Sequence, residues 1–188
     1  ARIMTLRDRM VELRRSGRGN REHASKRKAP HSLSGDKVPT KFGEVQLVST
    51  LLGEKHCHGE ALVSKALGIR GENVAKFSCD DLLAGFDSTK ALFIDTETTG
   101  LSGGSGTLPF LIGIGYFEQG RLKVEQLILR EMGQERPMLE YLKSRMLKSS
   151  FLVSFNGKSY DWPLLRTRFV MNRIECPEVI AHLDLLHC

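Results

Sequence analysis

The sequence predicts a mixed α/β fold from three observations. Residues 91–94 (ALFI) form a short apolar run that stops at two carboxylates, Asp95 and Glu97. Residues 110–129 read as two strands joined by a tight turn over Glu118 to Arg121. After them, helical spacing of apolar residues at 138–148 and 164–171 brackets a further apolar run from Phe151 to Phe155. The order is strand, strand, strand, helix, strand, helix, and by pattern alone it specifies only a mixed sheet with helices packed on it.

The whole chain sets wider bounds. Its 188 residues suffice for one domain with a real core and some additional sequence, and 40% hydrophobic with 27% charged residues suits a soluble globular protein. No apolar run approaches the roughly 18–20 residues that cross a bilayer, and the N-terminal residues lack the apolar stretch of a secretion signal. No membrane partner is expected. Cys57, Cys79, Cys176 and Cys188 are scattered without a CxxC pair, so neither a disulfide framework nor a zinc ribbon is expected. A cytoplasmic location follows as the default.

The net charge of +6 is unevenly distributed. Residues 1–41 hold 12 Lys/Arg against 4 Asp/Glu, so the remainder is slightly acidic. Such an arm binds phosphates without sequence specificity, or simply keeps a tail solvated.

In chain order, residues 3–15 have rough helical periodicity among arginines, and residues 16–41 read as a flexible Gly, Ser, Lys and Pro linker. Gly43 to Leu52 fits a strand. His56-Cys57-His58 is the one dense cluster of nitrogen and sulfur ligands. On a strand only His56 and His58 could share a metal, and a polar loop is the better reading. Residues 60–67 read as a short helix ended by Gly68, and residues 80–90 as a segment leading into the apolar run. The expected organisation is a basic arm over 1–41, a small extension over 42–89 and the main domain over 90–188.

The first chemical constellation lies at the end of that run. Side chains two apart on a strand share a face, so Asp95 and Glu97 stand side by side, about 6–7 Å apart by strand rise. Ionising both is costly unless a cation lies between them, and hard oxygen ligands suit Mg²⁺ or Mn²⁺. Solvated acids at a strand end are the plainer alternative. The glycine-rich loop Ser102 to Gly106 matches neither a nucleotide P-loop nor a dinucleotide fingerprint. The second constellation is SFNGKSYDWPLL, residues 154–165. Asn156-Gly157 is a turn former, and Pro163 fits the first turn of the next helix, which places Asp161 near a helix start. Taken alone, Asp161 is a helix-capping acid.

The stretch FIDTETTGL, residues 93–101, resembles the first motif of the DEDD (DnaQ-like) 3′–5′ exonucleases, which have the RNase H-like fold. The longer run from Asp95 to Gly113 resembles the YprB-type RNase H-like family of bacterial exonucleases. NGxxxD, ending at Asp161, looks like the second exonuclease motif, and His182-Leu183-Asp184-Leu185-Leu186 extends the match to the C-terminus. The resemblance covers about residues 90–188.

It implies an RNase H-like mixed β-sheet flanked by helices and a metal-dependent 3′–5′ exonuclease acting on DNA or RNA by a two-metal mechanism. Asp95, Glu97 and Asp161 would be the catalytic and metal-holding acids for Mg²⁺ or Mn²⁺, with Asp184 a possible additional acid. Thr98, Gly100, Leu101, Asn156, Lys158 and Tyr160 would contact substrate. Tyr160, Trp162 and Phe155 are candidates for stacking on the bases of a single-stranded end, although for Phe155 the core reading is the stronger. A final HNxxD motif of the family does not occur in these residues, so the expectation is either a fragment truncated before that motif, inactive as it stands, or a final acid supplied from elsewhere. A catalytically silent nucleic-acid-binding module and an RNase H-like endonuclease are the competing expectations.

Overall fold

Ala91 to Ile94 alternate between two buried faces, and that alternation fixes the layers of the molecule. The computed structural model describes residues 35–100, 106–179 and 181–188. The sequence expectations for the basic helix and most of the linker lie outside the described residues. Strand β5 (Ala91–Thr98) is an inner strand of a seven-stranded sheet of order β1-β2-β7-β6-β5-β8-β9. The others are β1 (Asp36–Thr40), β2 (Gly43–Leu51), β6 (Pro109–Glu118), β7 (Arg121–Ile128), β8 (Phe151–Ser154) and β9 (Ala181–Asp184). Neighbours pair antiparallel except β5 with β8 and β8 with β9, which are parallel. The helices are α1 (Gly71–Ser78), α2 (Glu135–Met146) and α3 (Asp161–Met171). This is a mixed α/β sheet flanked by helices, the RNase H-like arrangement.

Leu92 and Ile94 face one way and join Ile112, Ile114, Leu127 and Leu152 in a core covered by Met138, Leu139 and Leu142 of α2 and Leu165 and Phe169 of α3. Each such side chain, fully buried, contributes about 1.5–3 kcal/mol. Ala91 and Phe93 face the other way, with Val153, Ala181 and Leu183, toward Val74 and Ala75 of α1 and the neighbouring Leu83 and Phe86. Gly71 opens α1 because a Cβ there would lie 2.3 Å from the Ala84 carbonyl oxygen, so only glycine permits that approach.

Two charged knots tie α2 into place. Arg168 of α3 and Glu135 of α2 form a buried ion pair, with Nη2 donating to Oε2 at 2.6 Å. Glu125 of β7, 1% exposed, accepts from Tyr116 Oη at 2.9 Å, Tyr141 Oη at 2.8 Å and Arg145 Nη2 at 3.2 Å.

The sequence reading differs from the structure in three places. The linker gives way to strand at Asp36, and β1 and β2 belong to the main sheet, because Val45 and Leu47 are buried and Val38 packs against the same core. The expected helix at 60–67 is instead the short strand β4 (Ala61–Leu62) followed by a 3₁₀ turn over Val63–Gly68 with no buried residue. The helix of this region is α1, whose Val74 and Ala75 are buried. Cys57–His58 forms β3, which pairs only with β4 and is exposed. Among the described residues no helix is long and apolar enough to cross a membrane.

Candidate active site

Asp95 and Glu97 lie at the C-terminal end of β5, where the strand runs out of core to cover. In the antiparallel register Asp95 stands opposite Gly113 and Glu97 opposite Leu111, and the pairing shifts between Glu97 and Thr98. Directly opposed residues share a face, so Gly113 leaves the space beside the Asp95 carboxylate free of a neighbouring side chain. Asp95 reaches solvent, but the protein packed around its carboxyl excludes enough water to raise its pKa, and the Asp161 charge raises it further. Glu97 is also raised, by burial first and then by Asp95 and Asp161. The three acids therefore share one electrostatic neighbourhood.

Asp161 arrives from the other side of the strand. It is the first residue of α3, a position where the helix dipole favours a carboxylate, and it is buried. Thr96, between the two acids of β5, donates its hydroxyl to Asp161 Oδ1. The turn leading to α3 is closed by the Trp162 N–H donating to the Gly157 carbonyl at 2.8 Å. Asn156 takes a left-handed φ of 62°, a conformation that asparagine tolerates better than most residues.

A donor set of three carboxylates and no sulfur or imidazole suits a hard divalent cation. The raised pKa values of Asp95 and Glu97 are the strain that such a cation would relieve. As the side chains stand, no three His, Cys, Asp or Glu groups among the described residues are placed to share one ion. Thr96 holds Asp161 through Oδ1, so a shared cation would meet Asp161 through Oδ2 after the acids draw together.

The remaining expected site residues fall into three groups. Thr98 donates its hydroxyl to the Gly100 carbonyl at 2.9 Å, closing the turn after β5, while Leu101 lies outside the described residues. Lys158 and Tyr160 are exposed beside Asp161. Phe155, which the sequence suggested as core, is 65% exposed because β8 ends before it, whereas Trp162 packs partly buried against the main core.

Asp184, the possible additional acid, is the last residue of β9. It is 2% exposed, and its oxygens accept main-chain N–H groups from Asn156 at 2.6 Å, Lys158 at 2.8 Å and Leu186 at 3.1 Å. Burial works to raise its pKa, but these bonds outweigh that and hold it below the ordinary carboxylate value. Next to it His182 Nε2 meets Ser154 Oγ at 2.7 Å, both side chains being buried. Burial and the Lys158 charge push the His182 pKa down to about 4. Thr96 and Ser154 were given no role from the sequence, and His182 was read only as the start of the His182–Leu186 match, since a hydroxyl or imidazole inside an apolar strand carries no signal of its partner.

A mixed sheet of this order, flanked by helices and with acids at the end of the inner strand β5, fits the RNase H-like class. A family model described as RNase_H superfamily matches residues 92–188, and the chain belongs to that superfamily. It is similar to the uncharacterized protein YprB of Bacillus subtilis (strain 168), at 38% identity over 105 residues that cover 55% of this chain. The match spans a quarter of that relative's length.

Proposed function

We propose that this chain belongs to a metal-dependent 3′–5′ exonuclease that hydrolyses phosphodiester bonds in DNA or RNA. The observation that carries the reading is the shared field of Asp95, Glu97 and Asp161, with two of the three held above their ordinary pKa. Membership of the RNase_H superfamily supports nuclease chemistry in general. The three carboxylates would hold Mg²⁺ or Mn²⁺. Two such ions, when bound, would supply an activated water and stabilise the leaving oxygen. Around them Gly113 leaves room for substrate, and Lys158 offers its ammonium to a phosphate. Tyr160 presents an exposed ring to the terminal base of a single strand, worth about 1–3 kcal/mol per stacked base. Four unpaired cysteines agree with a reducing, cytoplasmic setting.

A second reading, a nucleic-acid-binding module without hydrolysis, is favoured by one observation: the Asp161 carboxylate is engaged by Thr96 and the acids do not close on one point. The deciding experiment incubates a 5′-labelled single-stranded oligonucleotide with Mn²⁺ or EDTA and follows Mn²⁺ binding by calorimetry. A ladder shortening from the 3′ end with Mn²⁺ alone is expected. Cleavage of a substrate with blocked 3′ ends would instead make the protein an endonuclease. Binding of the oligonucleotide without Mn²⁺ affinity or cleavage would establish the silent module.

A further inference from the structure

We propose that the end of β9 is the positioning element of the second acidic motif. Asp184 ties the 156–158 turn to the sheet, and the buried Ser154–His182 pair forms the floor under Gly157, so that together they set where Asp161 stands. The inference rests on the nuclease reading only in that Asp161 matters for hydrolysis.

The contacts form an unbroken path. β8 and β9 run parallel with Ser154 opposite Asp184 and Leu152 opposite His182. The chain leaves β8 at Ser154 and must turn at once, and Asn156 does so in the left-handed region. Asp184 receives both sides of that turn, Asn156 N–H on Oδ1 and Lys158 N–H on Oδ2, and Leu186 N–H also donates to Oδ1. Both oxygens are thereby committed to backbone, which assigns Asp184 to holding the turn rather than to serving as a further metal ligand. Between the two clamped amides lies Gly157, pressed onto the pair below. A Cβ at Gly157 would sit 2.5 Å from Ser154 Cβ and Oγ and 3.1 Å from Asp161 Oδ2. The Gly157 carbonyl then receives the Trp162 N–H and carries the path into the first turn of α3. Groups that orient a ligating carboxylate in this way typically change metal affinity by 10–100-fold when removed.

The test is Asp184→Asn in the full chain, read by amide hydrogen exchange and by Mn²⁺ calorimetry. Exchange at the Asn156 and Lys158 amides should rise about tenfold or more while Ile112 and Ile114 in β6 stay protected. Mn²⁺ affinity should fall about tenfold, with any hydrolysis recovered at saturating Mn²⁺. Unchanged exchange and affinity would overturn the proposal, as would a loss of hydrolysis that no Mn²⁺ concentration restores while the two amides stay protected. If wild type neither binds Mn²⁺ nor cleaves, the nuclease reading fails, and the exchange result still decides whether the clamp exists. Should Asp184→Asn expose Ile112 and Ile114 as well, Gly157→Ala replaces it. The added methyl must push the turn off Ser154 and toward Asp161, while every donor and acceptor of the Asp184 clamp keeps its chemical identity. Reduced Mn²⁺ affinity in a protein with β6 still protected would support the proposal, and undiminished affinity would overturn it.

Discussion

Asp95 is a charge that the fold holds against its own interest. Its folded pKa is raised by burial and by Asp161, so in metal-free buffer near pH 7 the ionised group destabilises the native state. Asp95→Asn should therefore abolish Mn²⁺-dependent hydrolysis while raising rather than lowering the melting temperature in EDTA. A melting temperature that falls would mean Asp95 is structurally required, and undiminished hydrolysis would remove it from the site. His182 works with the opposite sign. Its pKa lies near 4 in the folded protein against an ordinary 6.5, so the unfolded chain takes up a proton that the native state refuses. Its contribution to stability is present above pH 6.5 and lost as the pH falls toward 4. Over the acid range Asp95 and Glu97 oppose this trend, because their raised pKa values make the native state the readier proton acceptor. His182→Gln should thus lose less stability than wild type between pH 6.5 and 4, as measured by melting temperature against pH. Equal slopes would mean that the imidazole is not held neutral.

Among elements, α2 and α3 depend on each other through Glu135 and Arg168, both buried. Breaking such a pair from one side leaves an uncompensated charge, at a cost of about 3–5 kcal/mol, whereas replacing both partners with apolar residues is often neutral. Arg168→Met should lower unfolding free energy by that amount in urea, and Glu135→Leu with Arg168→Met should recover most of it. A single variant costing under about 1 kcal/mol would mean that the pair is more solvated than its burial suggests. The same helices mark the limit of what their sequences say. Leu165 and Phe169 at i and i+4 announced α3 by spacing, and the Asp95/Glu97 period of two announced the acidic strand end. Residues 60–67 had the apolar density of a helix, but none of Val63–Gly68 is fully buried and that segment is a 3₁₀ turn. Asp184 was legible as an acid at a strand end. That it also faces the Asn156 and Lys158 N–H groups depends on a turn 26–28 residues away, which no local pattern encodes.

For the whole molecule, the boundary of the folded unit lies earlier than composition suggests. Lys37, Pro39 and Lys41 give the end of the 16–41 stretch the look of a linker, yet β1 lies there and with β2 completes one side of the sheet. Gln46 to Leu51 pair with Lys123 to Ile128, and Val45 and Leu47 fill the core beside Leu127. A chain that begins at residue 52 would lose those two buried side chains and leave β7 as a bare edge, open to pairing with other molecules. Removing them costs about 3–6 kcal/mol of apolar burial, a large part of the 5–15 kcal/mol that keeps a domain folded. A chain that begins at Gly35 keeps every strand of the sheet. The expected outcome is that the longer version elutes as a single species and unfolds cooperatively in urea, while the shorter one associates on a sizing column. Equal behaviour of the two would mean that β1 and β2 are an appendage, and that the five strands from β7 through β6, β5 and β8 to β9 support the acidic site alone.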